Sequence, residues 1–359
     1  MKKYISLLIA AVLTLSLFTA CGSKETTTET TDAGSTETTE ESEDKLQVVT
    51  TIFPEYDWVM NVLGDKASDA EVTMLLGSGV DLHSYEPTPE DILKITTCDV
   101  FVYVGGESDK WVADALAEAT NKDMQVINLM ETLGDSVSEE EIVEGMEAEE
   151  EEEEGEEGEE EVEYDEHVWL SLKNAATLVD SIEMALSTAD EANAETYSAN
   201  AAAYKEELLA LDEEYASAVA NKSVDAVLFG DRFPFRYMVD DYDLDYYAAF
   251  VGCSAETEAS FETITFLAQK VDELSLPVVL DIDGSDGKIA QTIVDNTSSK
   301  DQQILTMNSM QSTTYDDVDN GVTYLSVMEE NLGVLKQALG VTDETVSADA
   351  TDAQKKTTN

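Results

Sequence analysis

Histidine is nearly absent: His83 and His167 are the two in a chain of 359 residues. Cysteine numbers three and proline five. Cys21, Cys98 and Cys253 are too few and too scattered for the disulfide framework of a small secreted domain. Cys98 and Cys253 are therefore read as free thiols, a single bridge between them being the alternative, and the fold must rest on a hydrophobic core. Basic residues are scarce as well, with 19 Lys and Arg against 79 Asp and Glu and a formal net charge of -60. Such a charge repels phosphate backbones, so no nucleic acid is expected as a partner. Nineteen of the acids fall within 139–166, where there is no Lys or Arg, yet the rest of the chain still carries -41. The acidity is global. No apolar run beyond the first twenty residues is long enough for a membrane-spanning helix.

What is present begins with an address. Lys2 and Lys3 precede an apolar run from Tyr4 to Phe18, followed by small residues, the pattern of a cleaved signal peptide over 1–20. Leu17-Phe18-Thr19-Ala20-Cys21 resembles the bacterial lipobox, which implies lipid attachment at Cys21 and anchoring on the extracytoplasmic face of the cell membrane. Residues 21–45 are almost wholly Ser, Thr, Glu, Gly, Asp, Ala and Lys, with nothing to build a core, and read as a disordered tether.

From Val48 onward short Val/Ile/aromatic runs alternate with segments of three- and four-residue apolar spacing. Val48–Phe53, Glu71–Leu76, Val100–Val104 and Gln125–Leu129 predict strands, separated by helices over Glu55–Leu63, Glu90–Thr97 and Asp109–Thr120. The rhythm returns in strands at Ala226–Phe229, Tyr246–Phe250, Pro277–Ile282 and Gln303–Thr306, with helices at Ala259–Leu274, Ile289–Asn296 and Val318–Leu339. The expected fold class is α/β: two Rossmann-like lobes with parallel sheets, over 46–173 and 222–342, with a flexible tail over 343–359. Between the lobes, 174–221 is rich in Ala, Leu and Glu and free of Pro and Gly, which predicts linking helices, the second some thirty residues long. The Glu147–Glu163 run sits in an acidic insertion, 139–166, of the first lobe. Like charges cannot pack, so it predicts a solvated loop, read either as a solubilising device or as a weak collector of cations.

Both histidines lie where a loop meets an element, the place at which α/β sheets bind ligands. His83 stands in Asp81-Leu82-His83-Ser84-Tyr85-Glu86-Pro87-Thr88-Pro89, and His167 in Asp165-Glu166-His167-Val168-Trp169-Leu170-Ser171. Taken alone, each is more readily a structural residue than a ligand.

Together these segments resemble the two His-bearing loops of the metal-binding receptors of bacterial zinc and manganese ABC importers. Thr50-Thr51-Ile52-Phe53-Pro54 resembles that family's first strand and turn, and the resemblance extends over roughly 46–340. It implies two lobes joined by a long rigid helix, a metal in the interlobe cleft, and His83 and His167 as ligands. The family's third ligand falls near Gly230, which has no side chain to offer. Asp231 beside it either ligates, if the loop shifts by a residue, or caps the turn before Phe233. A fourth, acidic ligand is expected at the end of a later strand, where Asp283, adjacent to Gly284 at the strand end, is the choice and Asp281 the fallback. Arg232 is expected to pair with a cleft carboxylate.

Two imidazoles with one or two carboxylates suit Zn2+, and Mn2+ if coordination expands; zinc is favoured by the paired His motifs and the position of the acidic insertion. The expected function is extracytoplasmic capture of that metal and delivery to an ABC permease by a monomer that is not an enzyme. A manganese receptor, a surface adhesin keeping the fold, and a secreted zinc hydrolase are the alternatives. The last lacks a His-Glu-x-x-His helix and a spare imidazole.

Overall fold

The computed structural model describes residues 45–147, 163–254 and 258–341. The signal peptide, Cys21, the tether, residues 148–162 of the Glu run and the tail expected over 343–359 lie outside the described residues.

The first lobe runs β1 (Leu46–Thr50), α1 (Phe53–Leu63), β2 (Ala70–Met74), α2 (Pro89–Thr97), β3 (Val100–Tyr103), α3 (Val112–Ala117), β4 (Gln125–Asn128) and α4 (Leu129–Leu133). Its four strands are parallel in the order β2-β1-β3-β4. Two helices follow, α5 (Leu172–Ala189) and α6 (Ala194–Ala220). The second lobe runs β5 (Ala226–Phe233), α7 (Arg236–Tyr242), β6 (Asp245–Val251), α8 (Phe261–Leu274), β7 (Val278–Ile282), α9 (Lys288–Asn296), β8 (Gln303–Met307), α10 (Tyr315–Asp319) and α11 (Tyr324–Ala338). Its sheet, also parallel, has the order β6-β5-β7-β8. The strand order is thus the same in both lobes, and each reverses direction beside its first strand, where loops leaving the carboxyl ends open a crevice.

Helices cover the sheets, so the central strands are buried on both faces and read as nearly continuous apolar runs; all five residues of β7 are buried. The expected strands all form, with shifted ends. The first stops at Thr50 instead of Phe53 because Glu55 reaches back, its Oε2 accepting from the backbone N–H groups of Thr51 (2.7 Å) and Ile52 (3.2 Å) and so starting α1 with Pro54 in its first turn. The single helix expected over Val318–Leu339 is instead two, α10 and α11. Gly321, at φ +94°, turns the chain between them, and Thr323 caps the second by accepting from Ser326 N–H. Asp109–Thr120 yields only the short α3, and α7 was not foreseen.

The 27-residue α6 packs along α5, and both helices pack against α1 of the first lobe. One hydrophobic core runs from the first lobe through both helices into the second. Its joints are specific. Tyr324 on α11 donates to the carbonyl of Trp169 (2.6 Å) and packs edge-on against Trp58; Trp169 Nε1 donates to Ser309 O (2.8 Å); Tyr215 on α6 donates to Met328 O (2.6 Å). A shared, cross-bonded core of this kind makes the cleft floor stiff. The flanks of the acidic insertion are packed too. Glu139 and Tyr164 form an antiparallel bridge, and Glu147 N–H donates to Ala249 O (3.0 Å), extending the exposed edge of the second sheet beyond β6. Among the described residues no helix is long and apolar enough to cross a membrane.

Candidate metal centre

His83 sits in a single 3-10 turn, Leu82–Ser84, after β2. The turn is set by Asp81, whose Oδ1 accepts from His83 N–H at 3.0 Å. His167 opens another such turn, Val168–Leu170, where the acidic insertion rejoins the scaffold; Asp165 Oδ1 accepts from its backbone N–H at 2.8 Å. The two imidazoles arrive from segments 84 residues apart and meet with Nε2 facing Nε2 at 3.2 Å.

What holds the rings explains their chemistry. Asp165 Oδ1 also accepts from His167 Nδ1–H at 2.9 Å, and since a carboxylate has no proton to give, the Nε2 of that ring carries the lone pair. Asp165 is itself fixed, its carbonyl accepting from Tyr237 OH (2.7 Å) and its N–H donating to Ser138 O. On the other ring, Nδ1 meets Ser108 Oγ at 2.8 Å. Glu166 lies 3.6 Å from the same Nδ1. It is 1% exposed, and while its Oε1 accepts from Ser108 N–H (2.9 Å), its Oε2 has no hydrogen-bond partner. Gly106, at φ +76°, permits this approach, because a Cβ there would stand 2.3 Å from Glu166 Oε1. Burial, then the neighbouring His167, pushes His83 down to about 3, so the imidazole is neutral and able to donate electrons at neutral pH. Burial, with Asp165 nearby, pushes Glu140 up to about 7.

A third donor converges here. Single ligand atoms of His83, His167 and Cys253 all lie within 4.8 Å of one another. Cys253 follows β6 and lines a cavity with His83, Ser108, Glu140, Glu163 and Glu166. Cys98, by contrast, is buried in the first lobe and donates to Ile95 O; both thiols are free. The donor set, two imidazoles and a thiol with an unpaired buried carboxylate oxygen beside them, fits a zinc-sized divalent cation. Two nitrogens at ~2.0–2.1 Å from tetrahedral zinc would stand ~3.3 Å apart, close to the spacing already present.

The aspartates are placed differently. Asp231 and Asp283 line a neighbouring cavity with Asp81, Ser84, Arg232 and Ser312, and none of Asp231, Asp281 and Asp283 joins the group formed by His83 and His167. Asp283 accepts from Ser309 N–H, Ser309 Oγ (2.7 Å) and Ser312 Oγ (3.1 Å). Asp231 Oδ1 accepts from the Arg232 N–H at 2.8 Å. Asp281 is buried, and one of its oxygens has no partner. Gly230 carries no side chain for a packing reason: a Cβ there would meet Ala290 Cα on α9 at 2.5 Å. The β5–β6 register shifts between Phe229 and Arg232, and past this bulge Arg232 crosses the cleft to Asp81, Nη2 to Oδ2 at 2.9 Å. Burial works to raise Asp81, but the Arg232 hydrogen bond and charge outweigh it and hold the carboxyl below its usual range. The pairing expected of Arg232 is therefore present, and it ties the His83 turn to the second lobe. Sequence reasoning missed Cys253, although Gly252-Cys253-Ser254 follows a strand directly, the same placement that singled out the histidines.

Residues 48–338 match the family model described as zinc-uptake complex component A, periplasmic. The chain is similar to the zinc-binding lipoprotein AdcA of Streptococcus pneumoniae, 31% identical over 94% of this chain and 61% of that one. It spans, then, less than two thirds of that relative's length. It is also similar to the high-affinity zinc uptake system protein ZnuA of Bacillus subtilis, 29% identical over 94% of this chain and 98% of that one. Among solved structures, the Zn(II)-bound ZnuA-like domain of Streptococcus pneumoniae AdcA superposes with a TM-score of 0.64, at 30% identity, covering 82% of this chain and 99% of that domain.

Proposed function

The chain belongs to the zinc-uptake complex component A family, and on that premise we propose that it captures a divalent metal outside the cytoplasm, zinc in preference to manganese, and delivers it to an ABC permease. His83 and His167 are the ligands that carry the proposal. The observation behind them is the opposed Nε2 pair at 3.2 Å, each ring held from its far side by Ser108 or Asp165. Metal-bound histidines are oriented by hydrogen bonds at their other nitrogen in this way. Glu107 and Glu163, which line the same cavity as His83, draw cations toward it. In this proposal the protein is a monomeric receptor rather than an enzyme, held at the membrane by a lipid on Cys21.

The test is a zinc titration of the full chain, with manganese as competitor. Wild type should take up one zinc tightly and exclude manganese, and His83→Ala and His167→Ala should each lose affinity by orders of magnitude while keeping the fold. Wild-type-like binding by either variant would refute the assignment, and preference for manganese would refute the choice of metal. Cys21→Ser should leave affinity unchanged and free the protein from the membrane fraction; a normally processed variant that stayed in that fraction would refute the anchor.

A further inference from the structure

We propose that Cys253 supplies the third ligand of the cargo metal, as a thiolate, so that this receptor carries a two-histidine, one-cysteine centre. The inference rests on the metal-receptor reading above and deepens it.

The geometry of donors comes first. Tetrahedral zinc with bonds of ~2.05 Å to nitrogen and ~2.3 Å to sulfur sets N···N near ~3.3 Å and N···S near ~3.6 Å. The nitrogens already stand 3.2 Å apart, and the three ligand atoms lie within 4.8 Å. Closing the set needs at most about an ångström of side-chain movement. The backbone before Cys253 is pressed against the metal site, since a Cβ on Gly252 would meet His167 Cε1 at 2.8 Å and Phe233 O at 2.9 Å. Cys253 thus follows a backbone position packed directly against the His167 ring.

Other positions expected to supply a third donor are closed, engaged, or, for Asp231 and Asp281, outside the group formed by His83, His167 and Cys253. Gly230 is closed off by the α9 backbone, Arg232 is committed to Asp81, and Asp283 is held by Ser309 and Ser312. A second observation points the same way. Glu166, on the wall of the cavity that Cys253 and His83 also line, keeps a buried Oε2 without a hydrogen-bond partner, 3.6 Å from His83 Nδ1, so an acidic acceptor accompanies the three donors. A thiolate is a softer donor than carboxylate oxygen and favours zinc over manganese. Cys253 would thereby set selectivity.

The experiment uses cobalt(II) as a spectroscopic stand-in for zinc in the full chain. Wild type, Cys21→Ser and Cys98→Ser should all show the intense near-ultraviolet thiolate-to-cobalt charge-transfer band at one equivalent, and Cys253→Ser should lack it. In zinc titrations Cys253→Ser should bind at least ~100-fold more weakly, at or beyond the 10–100-fold effect of residues that merely support a ligand. Manganese binding should change far less, so the zinc-to-manganese preference should fall. Tight cobalt binding by wild type with no such band, or a Cys253→Ser variant that keeps both band and affinity, would overturn the assignment while leaving the receptor reading intact. Failure of wild type itself to bind either metal would overturn both.

Discussion

Asp165→Ala separates the metal-site account from a merely structural one, and its size can be worked out beforehand. One carboxylate oxygen accepts from both the backbone N–H and the Nδ1–H of His167, at 2.8 and 2.9 Å, inside a site where His167 is fully buried. Removing the carboxylate orphans two buried donors, at roughly 1–3 kcal/mol each before any water enters. It also frees the imidazole to rotate and to place its proton on Nε2, the atom that should face the metal. Supporting residues of this type contribute about 10–100-fold to metal affinity, and the upper end is expected here because orientation and tautomer are lost together. Asp165→Asn is the graded control. Its amide oxygen can still accept both bonds, so the ring stays in place and only the negative charge is lost, and affinity should fall by about tenfold or less. Chelator-competition titration with zinc gives the affinities, and urea unfolding of the metal-free protein gives the stabilities. If Asp165→Ala lost stability yet bound zinc like wild type, the Nε2 of His167 would not be a metal donor.

Three further outcomes follow from other parts of the fold. Gly230→Ala should destabilise by about 1–3 kcal/mol in urea unfolding, because the new methyl meets α9 backbone rather than a yielding side chain; a neutral result would mean that Gly230 is not fixed by packing. Arg232→Met should cost on the order of 1 kcal/mol at neutral pH by leaving Asp81 unpaired. Asp81 is held below its ordinary range when folded, so this contribution is present above the unfolded carboxylate pKa and is lost as pH falls through the folded one. The gap between wild type and variant should close in acid, and a gap that persisted or widened would contradict the ion-pair account. Asp57→Asn should stabilise by up to about 3 kcal/mol at pH 7, because burial pushes this carboxyl up to about 6 when folded. The folded state then binds more protons than the unfolded one between the ordinary carboxylate value and that level, and stability falls as pH rises through the window. The variant should lose that slope, and an unchanged pH profile would refute the assignment.

Much of the scaffold was legible because buried parallel strands are apolar throughout and separated by helical spacing, a pattern that survives without tertiary information. What escaped depends on contacts between distant segments. The split between α10 and α11 turns on Gly321, which apolar periodicity overrides when read alone. Asp283 stood at a strand end as a ligand should, but the hydroxyls of Ser309 and Ser312 that engage it lie 26 and 29 residues further on. Gly230 looked like a lost ligand, whereas its neighbour Ala290, sixty residues later, shows a packing requirement. The loops of His83 and His167 marked the two rings that meet, while the approach of Cys253 was not legible, because a single cysteine stands out only once β6 brings it beside both rings.

Anomalous diffraction at the zinc edge, from crystals of the full chain loaded with one equivalent of zinc, tests the central claim most directly. The account predicts a single strong peak between His83 Nε2 and His167 Nε2, within bonding distance of both. A peak in the neighbouring cavity among Asp231 and Asp283, with the two imidazoles still in contact at 3.2 Å, would contradict it.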